Sequence, residues 1–322
     1  MRLHNSAFLI LLLLFAFSKS SSVYGGETKL GGTIVFIRHG DVWNYDFSSG
    51  KETQLTRDGT CEQPAIHPEG KKVLYISYRD NYKEYKEWGN IKFGQIYEVD
   101  VSTQKSRKVK NLPECQCFYP CYSPDGKEII FTRANHRKEQ SKPAHGGFFF
   151  VELCVFDSES GEMRILEKAS NFGEDMEFCW PAFTDNSKMI YFINYWEGGS
   201  DAGMIPMEGG KGKGIKISDL SFAFISFFPD STKMAFISRV YRSGGESSLY
   251  LKNMKTGKMK KIIKDVSADL CRFSPDGQFI VLGHIFEEGP VKIINLDGVC
   301  IKEITTGSQA VLGEMKEGSE DA

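Results

Sequence analysis

The chain has 322 residues, 40 basic against 42 acidic, a formal net charge of −2, and is 41% hydrophobic and 13% aromatic. That balance offers neither the basic field of a nucleic-acid binder nor a polybasic membrane patch, and the length allows one large repetitive domain or two ordinary ones. The 32 glycines and the aromatic content predict many short strands and tight turns in place of helices.

Arg2 and His4 precede an unbroken apolar run from Ala7 to Phe17, followed by small polar residues and Val23-Tyr24-Gly25. The run is too short to span a bilayer but suits a signal-peptide h-region, so residues 1–25 are read as a secretory signal peptide, with a retained membrane anchor as the competing reading. No Cys follows the run, which argues against a bacterial lipoprotein anchor, and no later apolar stretch reaches membrane length. The mature chain is expected to be soluble, without a transmembrane segment, and periplasmic or secreted. The sequence has no Asn-x-Ser/Thr sequon, which favours a bacterial envelope.

Next comes "GGTIVFIRHGDVWNYD". Its Arg38-His39-Gly40, following an apolar run, resembles the opening motif of histidine phosphatases, in which the His accepts the phosphoryl group. That chemistry needs an α/β sheet, a second His and more Arg around one phosphate, and no helical pattern follows. The repeat described next places Arg38 level with Arg133 and Arg239, as the residue leaving a strand.

One unit recurs along the chain: "HPEGKKVLYIS" from His67, "SPDGKEIIFTR" from Ser123, "TDNSKMIYFIN" from Thr184, "FPDSTKMAFIS" from Phe228 and "SPDGQFIVLGH" from Ser274. Each reads as a tight turn feeding a strand: Pro presets φ, Asp bonds its own backbone and Gly accepts a left-handed conformation. A strand, Gly-containing turn and strand follow each time, as in "IYEVDVSTQKSRKVK" and "LCVFDSESGEMRILE". A short apolar segment such as "QPAI", "FYPCY" or "WPAF" precedes each turn. Four strands per unit in six units predict an all-β, six-bladed β-propeller over residues 31–313. The first copy lacks its inner strand, and "SQAVLG" near the C-terminus is left over, so the ring is expected to close through a C-terminal strand. Residues 314–322 read as a disordered acidic tail.

Ser-Pro-Asp-Gly-Lys followed by an apolar strand and then by "IYEVDV" or "VFDSESGE" resembles the repeats of the TolB-type propeller family. The resemblance implies a partner-binding propeller. TolB itself carries an α/β domain ahead of its propeller; here only a few residues separate the signal peptide from the first strand.

Eight cysteines in an exported chain permit disulfides. Small buried core cysteines are the default reading, with a Cys61–Cys117 bridge as the alternative. Cys115, Cys117 and Cys121 lack the spacing and the matching pair of a zinc ribbon.

The turns between first and second strands are short and uniform, whereas the connections between second and third strands are long and dissimilar and fall on the opposite face. On that face Tyr78, Tyr82, Tyr85, Trp88, Tyr195, Trp196 and Tyr241, interleaved with Arg79, Arg137, Arg239 and Arg242, have the aromatic-plus-Arg chemistry of interaction hot spots. The expected role is a monomeric, non-catalytic scaffold for an envelope or secreted protein partner, with a glycan as a second ligand class and no nucleic acid. No cofactor, metal site or catalytic residue is assigned. The alternative is a metal-dependent polysaccharide lyase using His39, His67, His136, His145 and His284. No Gly-x-Ser-x-Gly elbow occurs, and "GGKGKG" from Gly209 lacks the Ser/Thr of a phosphate loop.

Overall fold

The computed structural model describes residues 30–79, 82–85, 89–92, 94–112, 115–135, 150–168, 177–184, 188–196, 199–215, 217, 222–238 and 247–317. The predicted signal peptide lies outside them. Described strands are joined by turns, and no α-helix occurs among the described residues.

The first hairpin settles the Arg-His-Gly motif. β1 (Leu30–Arg38) and β2 (Asp41–Asp46) pair so that Arg38 faces Asp41, leaving His39 and Gly40 as the two turn residues. Both have positive φ, 53° and 71°, the backbone of a two-residue hairpin turn matched to strand twist. Gly40 also lies against the Gly59 carbonyl, where a Cβ would collide. The motif is a turn chosen for its backbone. β3 (Lys51–Gln54) completes this part of the sheet.

Five further units follow. The second contains β4 (Cys61–Ile66), β5 (Lys72–Ser77), β8 (Gln95–Asp100) and β9 (Ser106–Lys108), and between β5 and β8 a separate hairpin, β6 (Tyr82–Tyr85) with β7 (Gly89–Lys92). The third is β10 (Gln116–Tyr122), β11 (Glu128–Asn135), β12 (Phe150–Asp157) and β13 (Met163–Lys168). The fourth is β14 (Glu177–Phe183), β15 (Met189–Trp196), β16 (Gly199–Pro206) and β17 (Lys213–Ile215). The fifth is β18 (Phe222–Phe227), β19 (Lys233–Ser238), β20 (Ser248–Asn253) and β21 (Met259–Ile263). The last comprises β22 (Leu270–Phe273), β23 (Phe279–Gly283), β24 (Gly289–Asn295) and β25 (Cys300–Glu317). All pairings are antiparallel.

β25 serves two units. Residues 300–307 pair with β24, and residues 308–317 pair with β1, joining both into one seven-stranded sheet ordered β22-β23-β24-β25-β1-β2-β3. The leftover "SQAVLG" is indeed a strand beside β1. It runs further than expected: Met315, Lys316 and Glu317 pair with Gly32, Gly31 and Leu30, so the tail read as starting at Glu314 begins as strand. The connection "NYWEGGSDAG" from Asn194, one of those between second and third strands, is mostly ladder: β15 and β16 pair as far as Trp196↔Gly199.

The turns are built as their residues dictate. Ser123 Oγ donates to Asp125 Oδ1 (2.6 Å) and accepts from Glu128 N–H (2.9 Å), with Gly126 at φ 74°; Ser274, Asp276 and Gly277 repeat this. Second strands are continuous apolar runs because face-packed sheets bury both sides of an inner strand. Phe36, Tyr75, Phe131, Phe192 and Phe236 occupy matching positions on them, with Leu282 in the sixth unit, all at most 3% exposed. Each contributes roughly 1.5–3 kcal/mol of burial.

The cores lie between successive units. One joins Val35, Ile37 and Val42 to Val73, Tyr75 and Val99, and others link the second unit to the third, the third to the fourth and the fourth to the fifth. The largest brings Ala235, Ile237 and Leu249 together with Leu270–Leu282 neighbours and with Ile34 and Phe36 of the first unit. No disulfide joins the eight cysteines: seven lie in or against these cores, and Cys300 is exposed. The Cys61–Cys117 bridge does not form: Cys61 sits between the first two units with its thiol donating to Asp58 (2.9 Å), whereas Cys117 lies in the next core, 3.7 Å from Cys115 Sγ.

Candidate functional site

The two ends of the molecule are distinguished by contacts between neighbouring units. At the turn end, His67 packs on Gly126 and Phe228 on Gly277, so in these two pairs of neighbouring units the turns touch. At the loop end, where second strands leave their sheets, Cys61 N–H bonds the Gly40 carbonyl (2.7 Å), Cys117 N–H that of Gly94 (2.9 Å), and Gln309 N–H that of His284 (2.7 Å). The uniform turns and the second-strand ends from which the connections depart thus lie at opposite ends of the described strands.

The predicted partner-binding residues divide by what the structure describes. Tyr78 is half-buried, packs against the core between the second and third units and donates to Glu62 Oε2 (3.4 Å). Arg79 stacks over Tyr97 (4.5 Å) and pairs with the buried Asp58 carboxylate (3.7 Å). Both brace their own unit. Tyr82 and Tyr85 lie on β6, and Tyr195 and Trp196 on β15. Trp88, Arg137, Arg239, Tyr241 and Arg242 lie outside the described residues. Sequence reading passed over Phe286, 89% exposed in the connection between β23 and β24 at this end; one apolar residue among "EEG" gave little signal.

Among the described residues, no histidine belongs to a group of potential metal ligands. His39 is exposed and contacts Glu288, its N–H donating to that carboxylate. His67 accepts from Glu69 N–H (3.1 Å) and meets the Tyr122 ring edge-on, and His284 packs against Gly289. His136 and His145 lie outside the described residues. The one potential metal-ligating cluster among the described residues is Asp41, Asp58 and Cys61. Its carboxylates already accept from Thr56, Gly59, Thr60 and Ser77, and burial pushes the Cys61 thiol far up.

The feature sequence reading missed is central. The inner strands β4, β10, β14, β18 and β22 and the second half of β25 all line one cavity of about 590 Å³, which reaches the turn end through Pro68, Pro124, Pro229 and Pro275. A belt of residues at matching positions rings its inner part. Gln309, Gln63, Tyr119 and Trp180 all have φ between 52° and 54°, at bulges in their strands. Gln63 N–H donates to Gln309 Oε1, Tyr119 N–H donates to Gln63 Oε1 (2.6 Å), Tyr119 packs on Trp180 (4.4 Å between rings), and Trp180 on Phe224 (5.2 Å). Arg272 lies over Trp180 and Phe224, at 5.2 and 5.7 Å.

No protein-family model matches the chain, and no curated protein matches it. Solved structures do. TolB from Acinetobacter baumannii aligns with a TM-score of 0.64 at 21% identity, over 89% of this chain and 65% of its own, so the chain spans just under two thirds of that protein. A chain of the nidogen/laminin complex aligns at 0.58 with 12% identity, over 88% of this chain and 97% of its own. The protein folds as a TolB-like β-propeller. An oligogalacturonate lyase in complex with manganese shares the fold at a TM-score of 0.53 and 14% identity, over 81% of this chain and 69% of its own.

Proposed function

We propose that the protein is an exported, monomeric, six-bladed propeller that holds a protein partner on its loop end, without catalysis. The carrying observation is the contrast between the two ends. Variable connections, an added hairpin of β6 and β7 and the exposed Phe286 gather at the end opposite the uniform turns. A rigid scaffold with variable aromatic connections binds with little ordering entropy. The nidogen/laminin neighbour is a propeller-like chain crystallised in a protein complex, and TolB belongs to the same fold group, which supports an interaction role outside the cytoplasm. The double use of β25 supports ring closure, with residues 308–317 as the inner strand of the first blade. Trp88, Trp196 and Arg137, with Phe286 added, are the residues proposed to touch the partner.

The lyase reading draws on fold likeness, and the described histidines are engaged separately. In-cell crosslinking followed by affinity capture and mass spectrometry tests the scaffold. The intact protein is expected to capture an envelope or secreted protein that Trp88→Ala/Trp196→Ala/Phe286→Ala loses, at an unchanged melting temperature. Equal capture by both sinks the loop-end assignment, and stoichiometric bound manganese with lyase activity sinks the scaffold.

A further inference from the structure

Three of the four described arginines that are not exposed have carboxylate partners: Arg38 with Glu52 (2.6 Å), Arg79 with Asp58 (3.7 Å) and Arg133 with Glu152 (2.6 Å). Arg272 is the fourth, and among the described residues no ion pair or hydrogen bond reaches its guanidinium. Its charge neighbours are Cys121, Cys271 and Tyr191. Burial pushes the Cys121 thiol up to about 11 and the Cys271 thiol and Tyr191 phenol further, so all three are neutral near pH 7. Burial also pulls Arg272 down to about 10, which leaves it charged.

Among the described residues, Arg272 is the only lysine or arginine lining the cavity. The two carboxylates on that lining do not neutralise it: Asp276 is held in its own turn by Ser274 Oγ (2.5 Å) and Gln278 N–H (3.0 Å), and Glu314 is exposed. A half-buried guanidinium with no counter-charge keeps part of its desolvation cost uncompensated. Ser226, on the same cavity lining, accepts at Oγ from Phe273 N–H (3.2 Å) and can donate its own proton to an incoming acceptor. The remaining wall is aromatic and proline-rich, and the volume of about 590 Å³ is that of a small-molecule site.

We propose that this cavity binds a small organic carboxylate with an apolar or ring portion. The Arg272 fork and the Ser226 hydroxyl hold the carboxylate, and Trp180 and Phe224 flank the apolar part. The arrangement combines the two elements such a ligand needs, a half-buried, unpaired cation with in-plane donors and a preformed apolar wall. It lies toward the opposite end from the loop face, so the two readings fail or succeed separately.

The test is isothermal calorimetry on the full chain with phenylacetate and its neutral isostere phenylacetamide. Phenylacetate is expected to bind at least roughly tenfold more tightly, the worth of one charge-assisted pair, and to raise the melting temperature. Arg272→Met should abolish that preference while leaving the melting temperature equal or higher, since an unpaired buried charge is gone. Should this variant fail to fold, Arg272→Lys keeps the charge without the fork and should reduce the preference severalfold. Equal binding of acid and amide by the intact protein, no binding at millimolar concentration, or an acid preference retained by the variant each overturns the proposal. Tighter binding of an acetylated tripeptide with a free C-terminus than of phenylacetate reassigns the site to a chain terminus and overturns the small-molecule assignment.

Discussion

Glu98 is held by three donors from three strands. Arg107 Nη2 lies at 2.7 Å and Lys72 Nζ at 3.4 Å from Oε1, and Tyr122 OH donates to Oε2 at 2.9 Å. Burial alone would raise its pKa, but these donors outweigh burial and bring it below the ordinary 4.5. The folded pKa is thus below the unfolded one. The stabilisation is fully present above about 4.5 and is lost as pH falls through the lower folded value. Glu98→Gln is expected to cost about 1–2 kcal/mol at pH 7 after allowance for solvent screening. Melting curves against pH should show a flatter acid limb in the variant; parallel limbs would mean that Glu98 titrates alike in both states. None of this pairing was legible in sequence, because Glu98, Arg107 and Tyr122 meet only when β8, β9 and β10 assemble.

Among the elements, the inner strands carry the belt of left-handed residues. Gln63, Tyr119 and Trp180 each precede Pro, in "QPAI", "YPCY" and "WPAF". The extra residue at each bulge lets its side chain or backbone reach the neighbouring unit. Gln63→Ala leaves the Tyr119 N–H without its acceptor and keeps a Cβ in the left-handed region, at a cost of about 1–3 kcal/mol. Gln63→Gly loses the same acceptor but relieves the backbone. Glycine should therefore be the less harmful substitution by denaturant titration, the reverse of the usual order within a strand. The usual order would remove the left-handed bulge from the account. The strands themselves were readable as apolar segments, but Gln and Trp carry no local mark for positive φ, so the bulges were not.

For the whole molecule, β25 is the link that holds the first and last units in one sheet. A chain ending after Ile304 would leave Ile34 and Val35 without their partners Leu312 and Val311 and would open an edge along β1. Because each unit buries its faces against its neighbours, the loss should spread: a large fall in melting temperature and loss of a single cooperative transition are expected by calorimetry. An unshifted transition would refute closure of the ring through β25.

Turns and strands were determined by sequence alone, because Pro, Asp and Gly act on their own backbone and a strand packed on both faces must be apolar along its whole length. The strand beside β1 followed from the repeat. The tertiary structure alone decided which charges are paired. Arg38, Arg79 and Arg133 look no different in sequence from Arg272, yet three face carboxylates of strands or connections packed beside them and one faces the apolar and aromatic cavity. Pairing depends on what several distant strands bring to one point, and no local pattern encodes that convergence.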